Sequence, residues 1–97
     1  MTAGVLKDEL LRYIEKELGL KASQIELKTR YMQATSKRVE ESYRFNHDGV
    51  TYTYEIIKDM SERKIQIFET RRSCVEYNFE WWKKIKAPQS RVAFFTF

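Results

Sequence analysis

Residues 43–54 read Tyr43-Arg44-Phe45-Asn46-His47-Asp48-Gly49-Val50-Thr51-Tyr52-Thr53-Tyr54, two alternating runs separated by Asp48-Gly49. Both central positions of a type I′ turn need positive φ, which glycine adopts freely and aspartate tolerates. A two-residue loop sets Phe45 opposite Tyr52 and Tyr43 opposite Tyr54, both favourable aromatic neighbours. A four-residue loop would instead set Glu40 opposite Glu55, like charge against like. The spacing therefore predicts a tight antiparallel hairpin. Val39, Tyr43 and Phe45 lie on one face of its first strand and Glu40, Ser42 and Arg44 on the other, while Val50, Tyr52, Tyr54 and Ile56 continue the apolar face.

Towards the N-terminus, a polar break from Ala34 to Lys37 precedes the hairpin. Before it, Ile25, Leu27, Thr29 and Tyr31 alternate with Glu26, Lys28 and Arg30, the pattern of a half-buried strand. Earlier still the period lengthens. Leu6, Leu10, Ile14 and Leu18 recur every four residues, Leu11 and Tyr13 widen the stripe, and Gly19 is placed to end an amphipathic helix in the left-handed conformation.

Towards the C-terminus, a break from Asp59 to Arg63 leads to a strand at Lys64–Phe68. Residues 74–86 carry two readings. Val75, Phe79, Trp82 and Ile85 form a helical stripe, but Val75, Tyr77, Phe79 and Trp81 alternate strictly with Glu76, Asn78 and Glu80, which favours strand over 74–82. Pro88 ends that segment, and Arg91 to Phe97 reads as a short strand with apolar residues on both faces. The expected fold is α+β: an N-terminal helix packed on an antiparallel meander of four to six strands, as a single domain over residues 1–97. The runner-up makes residues 74–86 a second helix, in the order α-β-β-β-α.

Composition agrees with a small globular domain. Of 97 residues, 42% are hydrophobic and 33% charged, and a lone cysteine excludes an internal disulfide. Nothing approaches the ~18 apolar residues of a membrane span, and residues 1–8 lack a secretory pattern, so the expected location is cytoplasmic. Eighteen Lys and Arg against fourteen Asp and Glu give a net charge of +4, unevenly laid out. Residues 21–38 and 71–97 each sum to +4 and flank an acidic middle. Such a balance permits attraction to nucleic acid without requiring it.

Catalysis finds little support in these residues. His47 is the only histidine and sits beside a tight turn, Cys74 has no histidine near it in sequence, and Gly4, Gly19 and Gly49 form no phosphate-cradling loop. No spacing of Cys and His suits a metal, and no cofactor or small-molecule substrate is indicated. Glu76 and Glu80 share a polar strand face, where solvated carboxylates are the commoner case.

Binding readings are better served. Ile14 to Ile25 has the spacing of a helix-turn-helix, with Ser23 and Glu26 as a capping box, which would send Gln24, Lys28 and Arg30 into a major groove. Against it, Glu15 stands where such units want a small residue, and the next segment alternates as a strand. A double-stranded RNA module would need residues 74–86 to be helical. Trp81-Trp82-Lys83-Lys84-Ile85-Lys86 has the mixture of aromatics and cations that suits a single strand. Adjacent tryptophans on a strand cannot both point inward, so Trp82 is either exposed or covered by another element or chain.

The apolar C-terminal strand likewise asks for cover on both faces. The expectation is therefore a non-enzymatic binding protein that acts through a protein interface, a homodimer included, with contacts at Trp82, Phe95 and Phe97 and with Arg71 and Arg72 at the rim. The alternative is nucleic-acid binding through Lys28, Arg30, Lys83, Lys84 and Lys86.

Overall fold

The Asp48-Gly49 turn closes as its residues require. Asp48 has φ 49° and Gly49 φ 74° in the computed structural model, which describes residues 5–73 and 89–97. The turn joins β2 (Arg38–His47) to β3 (Val50–Asp59), and the register pairs Phe45 with Tyr52 and Tyr43 with Tyr54. The rings of Phe45 and Tyr52 stack with centroids 4.8 Å apart. A second turn, in which Arg63 takes φ 53°, leads into β4 (Lys64–Ser73). With β1 (Lys28–Ala34) and β5 (Ser90–Thr96) at the two edges, the sheet is an antiparallel meander in the order β1-β2-β3-β4-β5.

One helix, α1 (Lys7–Leu18), covers one face of this sheet. Leu6, Leu10 and Ile14, one turn apart, are fully buried against Tyr43, Phe45, Tyr54, Ile56, Ile65 and Ile67. Burial of each such side chain contributes roughly 1.5–3 kcal/mol. Gly19 ends the helix at φ 69°, its N–H donating to the Glu15 carbonyl at 3.0 Å. This α+β architecture is the one the periodicity predicts.

Two expectations change. The strand expected over 25–31 begins at Lys28, and all seven of its residues are exposed; Ile25 and Leu27 reach the core from ahead of it. A β-bulge between Thr29 and Tyr31 also breaks the alternation expected within it. The helix-turn-helix reading also fails. Residues Ala22–Gln24 form a single 3-10 turn, closed by the Lys21 N–H donating to Gln24 Oε1 at 2.8 Å, and strand β1 follows it. The strand and helix readings of 74–86 fall outside the described residues, as do Trp82, Lys83, Lys84 and Lys86.

The helix-covered face also buries two carboxylates. Glu41 accepts from the Tyr43 hydroxyl at 2.6 Å and from the Leu6 N–H at 3.0 Å. Glu69 accepts from the Tyr54 hydroxyl at 2.6 Å and from Arg71 Nε at 2.7 Å. Burial first, and then these hydrogen bonds, push both tyrosine hydroxyls far above their ordinary pKa, so they remain donors. The buried polar groups are thereby paired, which removes most of their desolvation cost.

Candidate functional site: the open face of the sheet

Side chains alternate along each strand, so the residues between the buried ones point to the opposite face. There the register sets Arg44 of β2 against Thr53 of β3 and Thr53 against Thr70 of β4; the next row sets Asn46 against Thr51 and Thr51 against Arg72. The β1 bulge adds a further cation. Thr29 pairs with Tyr43 and Tyr31 with Ser42, which leaves Arg30 as the extra residue between them. Arg30 Nη1 donates to Ser42 Oγ at 3.0 Å, and that hydroxyl donates onward to the Tyr54 carbonyl at 2.9 Å. Arg30 is thus tied down over the sheet rather than loose at its margin.

Together Arg30, Arg44 and Arg72 line a hollow of about 430 Å³, with Thr51, Thr53, Thr70, Glu55 and Gln89 completing it. Among the described residues, three guanidiniums and one carboxylate line it. Arg44 Nε reaches Thr53 Oγ1 at 3.4 Å, and Thr51 Oγ1 donates to Asn46 Oδ1 at 2.7 Å. Guanidiniums present forked, always-charged donors that match phosphate or carboxylate oxygens, and hydroxyls can add neutral hydrogen bonds. Among the described strand residues of this face, the cations Lys28, Arg30, Arg38, Arg44, Lys64, Arg72 and Arg91 outnumber Glu40, Glu55 and Asp59. The strand residues on the covered face are balanced, with Lys58 and Arg71 against Glu41 and Glu69.

Aromatic side chains stand at both edges of the open face. Tyr31 on β1 is 40% exposed, and burial, followed by the charges of Glu55 and Glu40, raises its hydroxyl pKa. Phe94 on β5 is 49% exposed and pairs with Gln66; Arg91 and Lys64 lie over its ring, 5.1 and 5.9 Å from the centroid.

The residues singled out from sequence are distributed as follows. Lys28 opens β1 beside a second hollow shared with Glu26, Arg44, Phe45 and Asn46, so Lys28 and Arg30 are neighbours along the same margin. Arg71 and Arg72, adjacent in sequence, point to opposite faces. Arg71 belongs to the covered face, held by Glu69 and lying over Tyr52 at 5.1 Å, whereas Arg72 lines the open hollow. Phe95 and Phe97 lie on the helix side of the β5 edge, with Lys58 and Arg63 over the Phe97 ring at 4.7 and 5.2 Å. Arg71 and Phe95 are six residues apart along the β4 register, roughly 20 Å, so the proposed protein-binding set is not gathered in one place.

Arg44 and Thr53 were missed as site residues, although a signal was present. The register that pairs Phe45 with Tyr52 also sets Arg44 opposite Thr53. Arg72, named from sequence only as a rim residue of a protein interface, and Thr70 join them only through the order of strands. No helix among the described residues is long and apolar enough to cross a membrane. No family model, curated protein or solved structure matches this chain.

Proposed function

We propose that this chain is a non-enzymatic binding protein that takes a nucleic acid on the open face of its sheet. The observation that carries the reading is the meeting of Arg30, from the first basic stretch, and Arg72, from the second, around one hollow with Arg44 between them. From sequence alone the two stretches cannot be shown to be neighbours. A polyanion entering this hollow would meet cations from both stretches, with Lys28 farther along the β1 margin.

The test is fluorescence anisotropy with a labelled oligonucleotide over a salt series. Affinity should fall steeply with salt. Each of Arg30→Ala, Arg44→Ala and Arg72→Ala should flatten the log–log slope by about 0.7 for a single strand, and the triple reversal to Glu should abolish binding while the protein still melts cooperatively. Binding indifferent to salt, or unmoved by the triple reversal, overturns the reading.

A protein interface stands as the second reading because Phe95 on edge strand β5 and Phe97 just beyond it are 36% and 41% exposed. It is favoured instead if the chain self-associates in sedimentation and Phe95→Ala disperses the dimer while the arginine variants do not.

A further inference from the structure

We infer that the nucleic acid is a single strand, and that Phe94 stacks one of its bases. The inference rests on the nucleic-acid reading above and goes further by naming the form of the ligand and the residue that distinguishes it.

Phe94 is the most exposed phenylalanine among the described residues and lies on the same face as the arginine hollow, because its partner Gln66 shares that face with Phe68 and Thr70. An exposed aromatic ring beside cations is the kind of platform on which a nucleic-acid base stacks. Every base has a π-face, so such a ring accepts any of the four. The cations nearest the ring suit the same ligand, since Arg91 and Lys64 can meet the phosphates on either side of a stacked base. Arg91 is also steadied by a 3.2 Å hydrogen bond from Nη1 to Gln66 Oε1.

The distance fits a short run of nucleotides. From Arg72 at the hollow to Gln66 is six residues along β4, and Phe94 lies one strand further out, a separation of roughly 20 Å. Phosphates held by Arg44 and Arg72 therefore leave a few nucleotides of chain to reach the ring.

A duplex has no comparable fit. Its bases are stacked inside the helix, and reading them takes a helix or ribbon that enters a groove. The α-helix of the described residues lies under the opposite face, and its outer surface mixes both signs, as in the Arg12–Glu9 pair at 2.7 Å.

The experiment compares three labelled ligands on the full chain: a twelve-nucleotide oligothymidylate, an abasic strand with the same phosphates, and a twelve-base-pair duplex. Oligothymidylate should bind about tenfold more tightly than the abasic strand. Phe94→Ala should erase that difference without weakening the abasic strand, and Phe94→Trp should restore it. Phe94→Leu, which keeps apolar bulk on the strand, should behave like Phe94→Ala. Equal binding of abasic and thymidylate strands, tighter binding of the duplex, or equal weakening of all ligands by Phe94→Ala overturns the inference but leaves the nucleic-acid reading standing. Failure of all three ligands to bind overturns both.

Discussion

The two faces of the sheet are built from the same four hairpin-connected strands and one edge strand, yet they do opposite work. On the covered face the central rows read Tyr43–Tyr54, Phe45–Tyr52 and Ile56–Ile67, closed over by Leu10 and Ile14 at zero exposure. On the open face the same strands offer arginine and threonine. The difference shows that a single alternation of the backbone separates the two faces: the odd residues of β4 are buried in the core up to Glu69, and the even ones, half-buried, point the other way.

That separation can be broken most forcefully from the helix. Ile14→Ala removes a fully buried side chain from the centre of the covered face and should cost about 2–5 kcal/mol, read from the midpoint of a urea melt. A loss under 1 kcal/mol would mean that α1 is not what closes this face.

The next effect concerns the device that decides which residue belongs to which face. A one-residue slip of register would exchange the two sets entirely, and the Asp48-Gly49 turn opposes it. Gly49 at φ 74° is penalised by any side chain, so Gly49→Ala should destabilise by roughly 1 kcal/mol or more, measured as a fall in melting temperature. An unchanged Tm would place the register control elsewhere.

The smallest effect sharpens the comparison from the other side. Arg44→Ala on the open face should change folding stability by less than about 0.5 kcal/mol, because it is exposed and its one hydrogen bond is long, while it weakens oligonucleotide binding. A large loss of stability would show that the open face also holds the fold.

How far the sequence reached follows the same division. The central hairpin was legible because its turn residues and its aromatic pairs agree on one register. The helix was legible because Leu6, Leu10 and Ile14 repeat at its period. β1 was misread because Ile25 and Leu27 continue an alternation that the bulge at Thr29–Tyr31 interrupts, and a bulge leaves no hydrophobic signature in an exposed strand. Nothing in the sequence marks Glu41 and Glu69 as buried. What buries them is a tyrosine two residues away in one case and across the β3–β4 ladder in the other, and the second partner exists only once the strands are ordered. The arginine hollow needed more still, since Arg30, Arg44 and Arg72 come from three strands and converge only through both the bulge and the meander.

The contact between Glu41 and the Leu6 N–H has a consequence for motion. A helix held to a sheet by apolar contacts alone can slide or roll by a fraction of a turn with small loss, since one aliphatic surface serves about as well as another. Here the start of α1 is moored to a carboxylate 2% exposed beneath it, 35 residues away along the chain. The positive end of the helix dipole also serves as that anion's counter-charge. Any slip would strand a buried carboxylate, a penalty of about 1–3 kcal/mol or more. The helix is therefore indexed to β2 as well as packed on it, and the sheet beneath keeps a fixed twist. Arg30, which reaches the same strand one residue along at Ser42, inherits that fixed position on the far side.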